Sequence, residues 1–464
     1  MKPTVMNLAL GALAIADANA TLTTAENTSG QQTACCSELA QSFGLGGKVY
    51  LPDSAGYTER MGSYWSASAA LNPWCVVQPS AAEDVSVIIR TLAKKRCPFG
   101  VRGGGHGSFA GSNSVEDGVT IDFGNMNSTT YDPDTKLASI QPGGHWQVVY
   151  DTLTPHGVVV TGGRAGTVGL KGSGANLGLV TRFDMYAIEF PDPNNPAIWG
   201  GNLIYNLTAG PKVIDALVNF TDNVHKDENS SSIVYRAFIP AIGGMILNAA
   251  IENTLAEVAP PAFDGYYGVG GITQDTTKVD LMSTVTNELG AGQPAGLRNI
   301  WFTLSFAKDA RVMNYAVDKF YTLNVDLEST VGVDSGFNTL CTFQPITKSI
   351  VEKGIRNGGN IMGLDHYIKN GNGIMNLVAL AINGAEEEAI AVSLIETYVE
   401  DVNNYARSLG LAWDWRYLNY AHKTQNAIST SGDAAIDKLK AASVKYDPIG
   451  VFQTLRQSGF KIPA

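Results

Sequence analysis

Apolar positions recur along this chain with two alternating periods. Val85, Ile88, Ile89 and Leu92 repeat at helical spacing behind Ser80-Ala81-Ala82-Glu83, which has the form of a capping box, and the run closes on Lys94-Lys95-Arg96, whose charges suit a helix C-terminus. The predicted helix hands the chain to a short strand at Phe99 to Val101. Further strands are predicted at Val119 to Phe123 and Lys136 to Gln141, then a helix from about His145 to Leu153, an apolar strand at Val158 to Thr161, and a strand running to Phe190. From about Asn202 the texture changes. Strands are predicted at Ile204 to Leu207, Met245 to Ile251, Trp301 to Phe306, Leu340 to Phe343 and Met375 to Ile382. They alternate with helices over Pro211 to His225, Thr276 to Leu289, Ala310 to Leu323, Thr347 to Arg356 and Ala385 to Leu409, the last ended by Gly410. This alternation describes an α+β chain in two parts.

Composition narrows the class. With 464 residues, 44% hydrophobic and 16% charged, the chain can bury two cores. Its 32 basic and 43 acidic residues give a net charge of -11, which opposes attraction to nucleic acid or anionic lipid, so neither is expected as a partner. Lys2, the apolar run Leu8 to Ala16 and then Ala18-Asn19-Ala20 have the form of a secretory leader cleaved after Ala20, the alternative being a buried N-terminal helix; the run is too short to span a bilayer. Acceptor triplets at Asn27, Asn127, Asn206, Asn219 and Asn229 suit N-glycosylation in a secreted protein. Cysteines 35, 36, 75, 97 and 341 are odd in number and include no C-x-x-C pair, which argues against a metal site and for one or two disulfides with at least one thiol left over.

The densest chemical signal is Arg102-Gly103-Gly104-Gly105-His106-Gly107, with a turn-like stretch after it from Ser108 to Asn113. Consecutive glycines let main-chain N–H groups converge on an anion. No helix comes next, which disfavours a Rossmann turn. A second run, Gly162-Gly163-Arg164-Ala165-Gly166-Thr167-Val168-Gly169, suggests the other wall of one phosphate-holding cleft, with Arg102 and Arg164 adding charge or serving structural ion pairs. A third turn, Lys171 to Phe183, contains Gly174 and Val180. Histidines 145, 156, 225, 366 and 422 show no ligand spacing, and neither a serine elbow nor a Walker loop is present.

The RGGGHG run resembles the flavin-anchoring loop of the berberine bridge enzyme-like oxidoreductases, within the vanillyl-alcohol oxidase and p-cresol methylhydroxylase superfamily. Motifs from about Tyr64 to Phe460 match in order, including Trp413 to Tyr420 and Lys445 to Gln453. The resemblance implies a leader at 1–20, an FAD-binding domain over 45–200, an α+β substrate domain over 201–410, and a segment over 411–464 that returns to the flavin. It implies FAD held by Gly103, Gly104, Gly105, Gly107, Ser108, Gly162, Gly163, Gly166, Thr167, Gly174 and Val180, and attached through its 8-alpha methyl to His106, whose neutral imidazole is a competent nucleophile. It favours a disulfide from Cys35 or Cys36 to Cys97.

Tyr417, Asn419 and Tyr420 are the candidate catalytic group. A strand would put Tyr417 and Asn419 on one face, and a phenol acting as base needs its pKa lowered from about 10. The alternative makes the tyrosines core aromatics. The implied activity moves a hydride from an alcohol, amine or activated C–H carbon of a small molecule to flavin and then passes electrons to oxygen, a chemistry that fungal relatives use in secondary-metabolite biosynthesis. Two alternatives are a carbohydrate oxidase stacking sugar on Trp413, Trp415, Tyr417 and Tyr420, and a non-catalytic product.

One departure stands out. Relatives continue from the GGRAGTVG-like turn through another phosphate strand, a helix, a run able to bear a second flavin-linking cysteine and further strands, whereas here Leu170 abuts Lys171. No cysteine lies between Cys97 and Cys341, so a second flavin bond is not expected. The shortened sheet is expected to leave an exposed edge.

Overall fold

A computed structural model describes residues 30–170, 173–290 and 294–464. The leader expected at 1–20, Asn27, and Lys171 and Gly172 lie outside the described residues.

Three short strands, β2 (Cys75–Val77), β3 (Phe99–Arg102) and β4 (Val119–Asp122), pair in parallel, with β1 (Val49–Tyr50) antiparallel at the edge, in the order β1-β2-β4-β3. The helix Ala82–Lys95 supplies the crossover and buries Val85, Ile88 and Leu92. Its expected capping box does not form: Ala81 occupies the N-cap, and the Asp84 carboxylate accepts from the Ser80 N–H (2.8 Å) and pairs with Lys48 (2.6 Å). Asp84, rather than Glu83, reaches back to the Ser80 N–H at the helix start. Two disulfides, Cys35–Cys97 and Cys36–Cys75, tie the 30–41 helix to this sheet, while Cys341 is a buried thiol elsewhere.

A second sheet, β5 (Thr129–Asp132), β6 (Leu137–Ile140) and β8 (Phe183–Tyr186), is antiparallel, and β7 (Val158–Val159) pairs with β9 (Ile188–Glu189). The strand expected to run through to Phe190 is therefore broken in two. Beside that break Tyr186 is 82% exposed and Ile188 is exposed.

The largest sheet is antiparallel throughout. It contains β10 (Ile198–Tyr205), β11 (Ser230–Ile239), β12 (Gly244–Asn253), β13 (Ile272–Asp275), β14 (Lys278–Asp280), β15 (Arg298–Ala307), β16 (Asn338–Ile346), β17 (Gly373–Ile382) and β18 (Ala412–Trp413). Its order is β13-β10-β12-β11-β16-β17-β15-β18, with β14 beside β10. Helices Gly210–Asn223, Ala310–Thr330 and Ala385–Ser408 cover one face, where Leu217, Phe220, Phe302, Phe320 and Leu380 form the core. The other face is left for a cavity. The helix expected from Thr276 begins only at Met282, because Thr276 to Asp280 is drawn into edge pairing with β10. Strand β11 and the helix Asp433–Tyr446 carry no clear apolar period, and the sequence pattern alone does not predict them.

The C-terminal segment runs along β3: Phe99 N–H donates to Leu455 O, Gln457 N–H to Phe99 O, and Val101 N–H to Ser458 Oγ (2.9 Å). No helix among the described residues is long and apolar enough to cross a membrane.

Candidate functional site

Strand β3 ends at Arg102, and this residue anchors the glycine loop. Its guanidinium, 2% exposed, donates to the Arg60 and Ser63 carbonyls (2.6 and 2.7 Å), pairs with Asp122 (3.3 Å) and lies over the Tyr64 ring (3.8 Å). Of its two expected roles it takes the structural ion pair. Buried, with Nη1 and Nη2 bonded inside the protein and Nε packed beneath Gly105, it is not a charge offered to phosphate.

The glycine loop rests on this platform. A Cβ at Gly105, which has φ +73°, would lie 2.7 Å from Arg102 Nη2, and one at Gly104 would lie 2.8 Å from the Gly169 Cα. Only glycine permits either approach. The loop delivers His106 onto the Trp65 ring at 4.1 Å and 12°, with Thr167 Oγ1 3.3 Å from its Nε2.

Two cavities meet at His106. A cavity of about 200 Å³ is lined by Gly103, Gly104, Gly105, Gly107, Ser108, Gly174, Val180 and Ser458 to Phe460. A larger one of about 700 Å³ lies under the bare face of the large sheet. Both are bordered by His106, Gly169, Leu170, Trp301 and Asn419.

The second glycine run does not form the opposite wall of the first cavity, as a single cleft would require; it reaches that cavity only through Gly169. Gly162 and Gly163 border the larger cavity and lie against the Trp146 ring, which stands where a Cβ would go, while Gly166 is buried against Asn287. Arg164 also faces the larger cavity, donating to Gln344 Oε1 (2.5 Å) and Tyr420 Oη (3.3 Å).

Tyr417, Asn419 and Tyr420 come together on the larger cavity, but on a turn closed by Tyr420 N–H to Tyr417 O (2.9 Å) rather than on a strand. Asn419 Nδ2 donates to Tyr417 Oη (2.9 Å), and the two tyrosine rings meet edge to face at 4.9 Å. Burial pushes the Tyr417 phenol above its ordinary value and Tyr420 adds to this, with Asn419 and Arg164 offsetting part. The expected lowering is thus not produced by the chain's own groups. Trp413 and Trp415 are packed in a core cluster with Ile346 and Met375, and Trp415 Nε1 donates to Met362 O. They border neither cavity, so the sugar-stacking surface expected of them is absent.

Sequence reasoning missed the C-terminal cations. Arg456 is fully buried, makes no ion pair among the described residues, and leaves Nη1 without a partner behind Gly459; burial lowers its pKa to about 10. Lys461 is pushed down to about 8 by burial and by Arg456. Only the pairing of the tail with β3 packs Arg456 behind Gly459, which lines the first cavity, so no local signal could have found it. Trp65 and Trp301 escaped for the same reason.

A glycine loop without side chains along the cavity wall, a buried cation with no ion pair among the described residues behind Gly459 and an indole-stacked histidine at the mouth fit an anionic, ring-bearing cofactor such as FAD. Fold and site together define a flavin-dependent oxidoreductase. Residues 73–186 match the FAD binding domain family. Over its length the chain is 31% identical to the FAD-dependent monooxygenase drtC of Aspergillus calidoustus, covering 92% of this chain and 90% of that protein. It is 30% identical to the FAD-dependent monooxygenase sdcF of Emericella nidulans, covering 92% and 98%. The chain belongs to this family of FAD-dependent enzymes.

The drtC alignment runs over 482 positions while using 92% of 464 residues, so drtC carries residues within the matched span that have no counterpart here. Among solved structures the fold is similar to that of 6-hydroxy-D-nicotine oxidase from Arthrobacter nicotinovorans (TM-score 0.68, 16% identity, 92% of this chain and 99% of that one). It is also similar to berberine bridge enzyme from Eschscholzia californica (TM-score 0.66, 12% identity, 93% and 100%).

Proposed function

We propose that this FAD-dependent oxidoreductase oxidises an apolar small molecule in the larger cavity, taking a hydride from an alcohol, amine or activated C–H carbon, with oxygen as the final electron acceptor. The observation that carries the reading is His106, stacked on Trp65 at the border of both cavities. Bound FAD supplies the hydride acceptor. Gly103 to Ser108, Gly174, Val180 and the Ser458 to Phe460 strip would hold it, with His106 as its covalent tether. Tyr417 is the group placed to take the substrate proton, and the Asn419 amide donating to its oxygen stabilises the phenolate that results. Arg164 acts in the same direction through space and orients Tyr420.

The exposed positions of Asn127, Asn206, Asn219 and Asn229 support a glycosylated, secreted enzyme. The name carried by drtC and sdcF favours a second reading, in which one oxygen atom of O2 enters the product. Isotopically labelled oxygen and product mass spectrometry separate the two.

The decisive experiment is purification of the full chain with FAD, then mass spectrometry of the tryptic peptide spanning position 106. The expected result is a flavin adduct, absent in His106→Ala. A wild-type protein with neither adduct nor retained flavin overturns the proposal.

A further inference from the structure

The charges around the larger cavity are lopsided. Ile204, Ile233, Ile246 and Leu340 make much of its wall aliphatic, and of the described residues that border it Arg164 alone carries a permanent charge. No aspartate or glutamate is among them. Glu288, bonded to two of the lining residues, accepts from Asn202 Nδ2 (2.9 Å) and the Thr276 hydroxyl, and it faces Lys278 Nζ at 3.8 Å. Arg164 is exposed and has no ion pair among the described residues. Arg102 in the first glycine run, by contrast, has its counter-charge in Asp122.

The fold holds this cation in place. Tyr150 Oη, on the helix Trp146–Leu153, donates to Gly163 O (2.8 Å), and the Gln147 N–H of the same helix donates to Gly166 O (3.0 Å), so the main chain is pinned on both sides of Arg164. Arg164 Nη2 donates to Gln344 Oε1 (2.5 Å) and to Tyr420 Oη (3.3 Å). Because a guanidinium offers donors only, Gln344 turns its oxygen to Arg164 and its amide nitrogen to Tyr420 Oη, at 3.4 Å. The Tyr420 oxygen therefore accepts from two N–H groups, which occupies both of its lone pairs and leaves its own O–H to donate elsewhere. Nε and Nη1 of Arg164 have no hydrogen-bond partner among the described residues. Arg164 and Tyr420 thus present donors and one positive charge to the cavity, with no acceptor free.

We propose that Arg164 is a specificity-determining residue that receives a carboxylate borne by an otherwise apolar, ring-containing substrate, with the Tyr420 O–H as a further donor to it. This rests on the larger cavity being the substrate site. A carboxylate is acceptor-only and matches the fork of a guanidinium. The chain's net charge of -11 opposes an anion at long range, so the preference comes from this local pairing. The Tyr417 and Tyr420 rings are 4.9 Å apart, which holds the carboxylate beside the group assigned the substrate proton. Pairing neutralises the charge that Arg164 otherwise directs at Tyr417, and the Asn419 amide remains as that phenol's donor.

The test uses the full chain with added FAD and two probes of matched shape, 2-naphthoate and 2-naphthamide, with affinities measured by equilibrium dialysis at neutral pH and low salt. Wild type is expected to prefer the naphthoate about tenfold, the size of one hydrogen-bonded pair to a charged group. Arg164→Gln keeps an amide donor and removes the charge, and it should reduce that preference at least about threefold. Arg164→Lys, which restores the charge without the fork, should recover part of what Arg164→Gln loses. A wild-type preference under about threefold, binding of neither probe, a smaller reduction in Arg164→Gln, or a lysine variant no better than the glutamine one overturns the proposal. Probe preference is read without turnover or the His106 adduct, so its failure is distinct from failure of the flavin reading.

Discussion

Replacing Asp122 with Asn separates two arginines that the sequence nominated for one job. Asp122 is fully buried and holds Arg60 at 2.9 Å and Arg102 at 3.3 Å, while its other oxygen accepts from the Gly124 N–H at 2.8 Å. Asparagine keeps the shape and one acceptor, but leaves the Arg102 guanidinium without a counter-charge. At 3.3 Å and an effective dielectric near 20 the lost attraction is about 5 kcal/mol, in line with the roughly 3–5 kcal/mol cost of breaking a buried pair. Unfolding entropy near 2.1 cal/mol/K per residue gives about 1 kcal/mol/K for 464 residues unfolding together, so the melting temperature should fall by about 3–5 °C.

Gly105 lies against Arg102, so the glycine loop loses its support as well; if that loop holds flavin as proposed, flavin retention should drop with stability. Arg164→Gln, at an exposed side chain, should shift melting by no more than about 0.5 °C. Differential scanning fluorimetry of both variants, with and without added FAD, checks this. An Asp122→Asn protein melting within about 1 °C of wild type, or an Arg164→Gln protein equally destabilised, would refute the structural role given to Arg102.

The two disulfides leave Cys341 as the remaining thiol, so unreduced, denatured protein should titrate one thiol per chain and native protein none, since Cys341 is buried; a count of three or five would break the pairing. Cys35→Ser with Cys97→Ser opens a link across 62 residues and should cost about 4 kcal/mol in urea unfolding. His422, stacked on Phe302 at 4.4 Å, has its pKa lowered to about 4, first by burial and then by Lys423. The unfolded chain takes up this proton below about pH 6.5 while the folded chain resists until about 4. The resulting stability is therefore full above about pH 6.5 and lost as pH falls through that window, by up to about 3 kcal/mol. Urea midpoints should decline more steeply from about pH 6.5 to 4.5 in wild type than in His422→Gln; parallel curves would remove the effect.

Much of the chain was legible because its signals are local. The helix at Ala82–Lys95, the strand that feeds the glycine run and the apolar strands β15 and β17 follow from periodicity, which depends only on neighbours along the sequence. The RGGGHG run announced a backbone cradle because only glycine tolerates what Gly104 and Gly105 must do. Where prediction failed, a distant partner had decided the matter. Strand β11 alternates serine, isoleucine and arginine weakly, and it is a strand because β12 and β16 pair with it on both sides. Tyr417 to Tyr420 reads as a strand, yet it is a turn wedged beside Trp301 and Arg164.

Sequence alone determined that backbone stripped of side chains would present one histidine, that two kinds of layer would form, and that the chain would carry a thiol to spare. Tertiary structure decided the rest: that Arg102 supports the loop instead of serving its ligand, that Gly162 and Gly163 face a different cavity, and that Ser458 to Phe460 of the tail line the first one with Arg456 packed behind Gly459. Charge balance and burial depend on what surrounds a group in space. Those neighbours come from residues tens to hundreds of positions apart, and no window along the chain contains them.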